Sequence, residues 1–403
     1  MKKIVSILAV AAALAGCTKS GAFDIGPISP EMDSGVYKDA SPGGSDDQGQ
    51  GREPGVPGVI TAGEWNDLDN WAFWSHLMTT KSDEQTTGYS DTPEYWRFWT
   101  DRRVAVSVKS AEGNPLPGVK VSLSDGGKEI WSAVTDVLGR ADCWVGLHDP
   151  SSQQGTLSIS LNGTAMSGSP AVTTWQDEEL AMNEYTFSAS APQNSADILF
   201  IVDATGSMSD ELEFLKADLL NILQRAQKTE LPISIRTGAL FYRDEDDDYL
   251  TRESPFTTDF TKTINFIKKQ YADGGGDWPE AVHTALNKSL QSFDWNTSAR
   301  ARLAFILLDA PPHQDQQGVV ESVNKSIDKY ASMGIKLIPV ASSGIDKPTE
   351  FLLRMMAIVT EGTYVFITDD SGIGNDHIEP TVGEFKVELL NDLMVRLIQK
   401  YLE

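Results

Sequence analysis

Asp197-Ile198-Leu199-Phe200-Ile201-Val202-Asp203-Ala204-Thr205-Gly206-Ser207-Met208 is the stretch whose reading decides the fold. Its β-forming residues stay apolar without alternating, which predicts a strand buried on both faces, and the run stops at a carboxylate, two hydroxyls and a glycine. Ser209 or Asp210 then stands where a helix cap belongs. Leu212, Leu215, Leu219 and Ile222 follow at helical spacing, with Asp210, Glu211 and Glu213 favourable in the first turn. A tight turn through Asp203, Thr205 and Ser207 converges three oxygens on one point. Such a point suits a small, hard cation: Mg2+, or Mn2+ or Ca2+.

Beyond Asp203 the chain alternates strand and helix, so a doubly wound, mostly parallel α/β sheet covered on both faces is expected. Strands are predicted over 233–242, 303–308, 335–340 and 363–367. Helical periodicity fills the gaps through Val282, Ala285, Leu286 and Leu290, then Val319, Val323, Ile327 and Tyr330, then Phe351, Leu352, Met355 and Val359. A last helix is expected over 382–402. Ligands of such sheets bind beyond the carboxyl ends of the strands. Two further loops belong at that rim, Leu307-Leu308-Asp309-Ala310-Pro311-Pro312-His313 and Gly274-Gly275-Gly276-Asp277-Trp278-Pro279-Glu280.

These loops, in this order after these strands, resemble the von Willebrand factor type A domain with its metal-ion-dependent adhesion site, over about residues 195–403. The resemblance implies a divalent-cation site with Asp203, Thr205, Ser207, Asp277 and Asp309 as ligands. It also implies non-enzymatic capture of a protein or glycan partner at the metal rim. The family has a threonine where this chain has Asp277. The added carboxylate is expected to tighten cation binding and to weaken attraction for an acidic side chain of a partner.

Each of these residues also has a plainer reading. Asp277 with Pro279 and Glu280 makes a good helix start. Thr205 and Ser207 satisfy turn amides equally well, and Asp309 can cap the Pro-Pro loop. The acidic run 244–248 is expected near the same rim as a solvated loop. His313 is read as a loop residue, since hard cations favour oxygen. As an alternative, Asp203-Ala204-Thr205-Gly206-Ser207 also resembles the nucleophile motif of haloacid-dehalogenase-like phosphotransferases, with Asp203 attacking a phosphoryl group. The helix that begins a few residues later leaves no room for that family's flap.

Upstream, Lys2 and Lys3 precede an apolar run from Ile4 to Ala13, the layout of an export signal. Leu14-Ala15-Gly16-Cys17 resembles the lipobox of bacterial lipoproteins. That predicts residues 1–16 as a signal peptide, Cys17 as a lipidated N-terminus, and a cell-envelope location at the outer membrane or cell surface. Residues 17–60, rich in Gly, Pro, Ser and Asp, read as a disordered tether. Five of the chain's ten tryptophans fall in 61–100, either to pack on a neighbouring domain or as a platform for glycan. Short strands between turns over 101–190 predict a small all-β sandwich. Gly113-Asn114-Pro115-Leu116-Pro117-Gly118-Val119 and Thr135-Asp136-Val137-Leu138-Gly139-Arg140-Ala141 resemble carboxypeptidase regulatory-like and immunoglobulin-like modules. Cys143, in a strand, reads as a small core residue. Across all 403 residues the formal net charge of -25 argues against the salt-dependent phosphate binding that needs clustered Lys and Arg, so nucleic acid is not expected as a partner.

Overall fold

The computed structural model describes residues 60–83, 86–152, 154–228, 232–369 and 378–403. The export signal, Cys17 and the tether up to 59 lie outside these residues. Ile60 does not belong with the tether, because it is buried and its carbonyl accepts from the Leu390 N–H at 2.9 Å.

Gln193–Asp203 occupies the middle of an eight-stranded sheet, hydrogen-bonded in parallel to Ser234–Tyr242 on one side and Ala299–Leu308 on the other. Ile335–Ala341 and Tyr364–Ile367 extend the parallel part. Thr251–Thr257 closes one edge antiparallel to Ser234–Tyr242. Successive residues of a strand point to opposite faces, and the central strand uses both. Ile198, Phe200 and Val202 enter a core with the helices Ser209–Ala226 and Leu390–Leu402. Leu199 and Ile201 enter the other core, with Val282–Gln291, Val319–Ser332 and Lys347–Thr360. All five residues are fully buried, which is why the run carries no polar alternation. The α/β class expected from the sequence is the class observed, together with an all-β unit.

That unit comprises a three-stranded sheet of Arg140–Trp144, Arg103–Lys109 and Met182–Thr186, and a four-stranded sheet of Lys128–Val134, Lys120–Asp125, Leu157–Leu161 and Thr164–Ala165. Val104, Val106, Val121, Leu123, Ile159 and Cys143 fill its core, which runs without a break into the helix layer of the large sheet.

Several features were not read from the sequence. The last helix starts at Leu390, not near residue 382, and Glu388–Leu389 before it is a short strand. Phe260–Ile267 is an additional helix, capped by the Asp259 carboxylate accepting from the Thr261 N–H. The aromatic-rich segment is not a separate layer. Its first residues, Thr61–Trp65, form a strand of the large sheet, antiparallel to Tyr364–Ile367 on one side and to Glu388–Leu389 on the other.

Most of the rings of that segment are consumed by packing. Trp74 stacks on Phe351 with centroids 5.9 Å apart, Tyr89 donates its hydroxyl to Glu350 at 2.9 Å, and Trp96 donates its indole N–H to the Pro348 carbonyl at 2.8 Å. Arg354, fully buried, lies over Trp74 and pairs with the buried carboxylate of Asp67. Tyr95 is the one exposed ring among the nine aromatic residues of the segment.

Candidate functional site

Asp203 is the last residue of the central strand, and Asp309 follows the strand beside it, so parallel pairing alone brings the two carboxylates to one rim. The hydroxyl turn folds back on the first of them. Thr205 donates to Asp203 Oδ1 from both its backbone N–H, at 2.9 Å, and its hydroxyl, at 2.7 Å. The Thr205 and Ser207 hydroxyl oxygens stand 3.5 Å apart. No side chain caps Ser209–Ala226, which runs straight out of the short 3-10 turn Gly206–Met208, so neither Ser209 nor Asp210 takes the capping role.

The glycine loop lies directly against this turn. The Gly206 N–H donates to the Gly274 carbonyl at 3.2 Å. Gly274 and Gly275 hold φ of 81° and 75°, a region that disfavours any residue with a Cβ. A Cβ on Gly275 would lie 3.1 Å from Glu280 Oε1 and 3.2 Å from Thr205 Cβ. Absence of a side chain at Gly275 therefore lets Glu280 and Thr205 share the site.

Glu280 is the residue that sequence reasoning passed over as a site group. Its N–H donates to the Pro311 carbonyl at 2.8 Å, tying the glycine loop to the loop after Asp309, and the residue is only 3% exposed. Asp277, expected from the resemblance as the ligand from this loop, is instead exposed at the mouth of the cleft beside Trp278. The helix expected to start at Asp277 begins at Val282, with Ala281 at its cap and no side-chain bond there. Asp277 thus lines the cleft from its exposed side, while Glu280 is buried within it beside Thr205. The cleft so formed has a volume of about 300 Å³ and is bounded by Thr205, Ser207, Gly275, Asp277, Glu280 and Asp309 among others.

The electrostatics of the cleft lack a positive partner. Burial, and then the neighbouring Asp309, push the Asp203 carboxyl up to about 7 against the opposing Thr205 hydrogen bonds. Burial pushes Glu280 up to about 9, with Asp203, Asp244, Asp309 and Asp247 adding to it. Asp309 is raised by burial, with the Ser207 hydroxyl working the other way. Glu211, on the helix that follows the turn, is pushed up to about 7 by burial and further raised by Asp309. Four buried acceptor atoms, Asp203 Oδ2, Glu280 Oε2, Asp309 Oδ1 and Glu211 Oε2, have no donor. Tyr242 is fully buried beside Asp203.

Buried acceptors without donors are costly unless a cation or proton meets them. The residues present therefore fit a hard cation, with Asp203, Asp309, Thr205, Ser207 and Glu280 as the oxygen donors near it. Among the described residues, no group of three or more Asp, Glu, His or Cys side chains is arranged to hold a metal ion by itself. The hydroxyls are thus needed to complete a donor set.

The acidic run after Ser234–Tyr242 is partly structural. His313 Nε2 lies 2.7 Å from Asp244 Oδ1, and the Asp247 carboxylate accepts from the N–H groups of Asp244 and Gly275. Arg243 is buried and donates to the carbonyls of Ala204, at 3.0 Å, and Tyr271, at 2.9 Å. Glu245, Asp246 and Asp248 remain exposed.

Within the large sheet with its rim of oxygens, the family model of the von Willebrand factor A domain matches residues 197–338. That interval runs from the central strand through the glycine loop and Asp309. Among curated proteins, 121 residues are 36% identical to part of an ariadne-like RING finger protein of Acanthamoeba polyphaga mimivirus, covering 30% of this chain and 12% of that protein. A stretch of 142 residues is 28% identical to part of an alpha-protein kinase of Dictyostelium discoideum, covering 34% of this chain and 21% of that one. The chain thus spans about a fifth or less of either relative. Among solved structures, the pilus adhesin SpaC of Lactobacillus rhamnosus GG aligns in its open conformation with a TM-score of 0.35 and 11% identity, over 52% of this chain and 30% of that one. A second form of the same adhesin gives 0.36 and 10%. A likeness that loose carries no argument about function.

Proposed function

We propose that the chain is a cell-envelope lipoprotein whose von Willebrand factor A domain binds a protein partner through a divalent cation of the Mg2+ type, without enzymatic chemistry. One observation carries the reading: Asp203 Oδ2, Glu280 Oε2 and Asp309 Oδ1 are buried acceptors with no donor, beside the Thr205 and Ser207 hydroxyls. A bound cation would supply the missing charge and present a coordination position to a partner at the rim. Anchoring at Cys17 and export rest on the sequence motif alone. Most of the aromatic rings in 61–100 are taken up by packing, which favours the metal rim over that segment as the recognition surface.

Melting curves of the full chain with Mg2+ and with EDTA test the proposal, beside the same pair for Asp203→Asn. Stabilisation by Mg2+ that Asp203→Asn abolishes is expected. Equal melting with and without Mg2+ at saturating concentration removes the cation from the account.

A further inference from the structure

We propose that the rim above the cleft docks a basic segment of a protein partner, one that presents arginine or lysine, and not an acidic side chain. The inference rests on the reading of the cleft given above and adds the chemistry of what it receives. Two buried carboxylates, Glu280 and Asp309, line the cleft, with Asp203 buried next to Thr205, and Glu280 Oε2 has no partner although the residue is 3% exposed. A divalent cation between Asp203 and Asp309 would have its two charges matched by theirs, leaving the exposed carboxylates of the surrounding loops uncancelled by the metal. A metal in such surroundings has little attraction left for another carboxylate.

The mouth of the cleft carries the same sign. Asp246 and Asp248 on one loop, and Asp273 and Asp277 on the other, are all exposed. The two loops are held edge to edge by the Asp247 carboxylate, which accepts from the Gly275 N–H at 3.1 and 3.2 Å. Neither 244–250 nor 271–280 contains a lysine or an arginine. Arg243, just before the first loop, is buried and committed to two carbonyls. Arg252, over the Tyr249 ring, sets one positive charge against the four exposed carboxylates, so the loops keep a negative balance, and a concave site of one sign concentrates ligands of the other.

One aromatic face stands at the same place: Trp278, 45% exposed, borders the cleft, while the Tyr271 ring is already covered by Arg243. Guanidinium and ammonium groups are attracted to such faces, most strongly to tryptophan. Carboxylates that attract a cation and an indole that stacks on it together define a receptor for a basic side chain, which a rim built for an acidic ligand would not display.

Fluorescence anisotropy on the full chain in Mg2+ tests this with two labelled Gly-Ser peptides, one carrying arginines and the other glutamates. The arginine peptide is expected to bind at least about tenfold more tightly, and to weaken as salt is raised. Asp246→Asn with Asp248→Asn and Asp277→Asn, all at exposed positions, should lower that affinity about tenfold or more. A control pair on the all-β unit, Glu178→Gln with Glu179→Gln, should leave it unchanged. Melting curves confirm that both variants are folded. Tighter binding of the glutamate peptide, or equal losses in rim variant and control, overturns the proposal. The EDTA arm separates the two readings. Arginine binding at the rim together with no Mg2+-dependent melting shift keeps the basic partner and removes the cation, whereas EDTA-sensitive glutamate binding keeps the cation and removes the basic partner.

Discussion

The backbone N–H of Glu280 donates to the Pro311 carbonyl at 2.8 Å, so the glycine loop and the loop after Asp309 are joined behind the carboxylates they carry. Geometry of this kind fixes Glu280 in the cleft whatever the ionisation of its side chain.

Glu280→Gln is the direct consequence. The folded-state carboxyl is raised to about 9, so the folded chain holds a proton that the unfolded chain has released. The sign follows: without a cation, stability declines as pH rises from the ordinary carboxylate range toward about 9. In EDTA, Glu280→Gln should therefore melt higher than the parent at pH 8 and about the same at pH 4. In Mg2+ the order should reverse, because the variant loses a donor. Each tenfold loss of cation affinity appears as about 1.4 kcal/mol less stabilisation at saturating Mg2+. Melting curves in the two buffers at the two pH values read both effects.

Gly275→Ala should damage the same place by a different route. The residue sits at φ 75°, and the added methyl would meet Glu280 Oε1 and Thr205 Cβ. A cost of about 1–2 kcal/mol is expected from the backbone alone. Displacement of Glu280 should weaken Mg2+ binding as well, by isothermal titration calorimetry. Gly276→Ala is the control, since nothing lies within 4 Å of its Cβ position.

Asp67→Ala should unfold the seam between the aromatic-rich segment and the sheet. Asp67 and Arg354 are both buried, and Arg354 Nε donates to Asp67 Oδ2 at 2.9 Å. Removing one partner strands a buried charge, at about 3–5 kcal/mol. Urea unfolding should register that loss, and Arg354→Met combined with Asp67→Ala should recover part of it.

His148 makes the junction of the all-β unit with helix Val319–Ser332 sensitive to pH. Burial works against a charged ring, and is outweighed by the Asp328 carboxylate at 2.9 Å and the Arg97 carbonyl, so the pKa is raised. Stability from this pair is fully present below the ordinary histidine range and is lost as pH rises through the raised value. Both side chains are about a third exposed, which limits the effect to at most about 1 kcal/mol. The fall in urea midpoint from pH 6 to pH 8 should be smaller for His148→Ala than for the parent.

Much of the large sheet was legible because its signal is local. Ile198 to Val202 without a polar break can only be covered on both sides, and Asp203 and Asp309 each end such a run. What escaped is decided by distant partners. Thr61-Ala62-Gly63-Glu64-Trp65 contains no strong strand signal, and it becomes a strand because Tyr364–Ile367 offers an open edge some three hundred residues later. Glu280 escaped for another reason. Irregular loops have no period, so nothing local told whether Asp277 or Glu280 faces inward. The answer lay in where the following helix starts and in the bond to Pro311. Phe260–Ile267 is too short for its apolar positions to establish a period unaided.

The position of Thr61–Trp65 has a practical corollary. A fragment cut from residue 195 onward would lose the strand that pairs with Tyr364–Ile367 along that side, baring the hydrogen-bonding edge of Val365 and Phe366 and taking from Glu388–Leu389 its ladder partner. Bare edges of that kind recruit strands from other molecules. Recombinant material meant to isolate the rim chemistry should therefore keep the chain from residue 60, with the all-β unit carried along as a loop between two halves of one sheet.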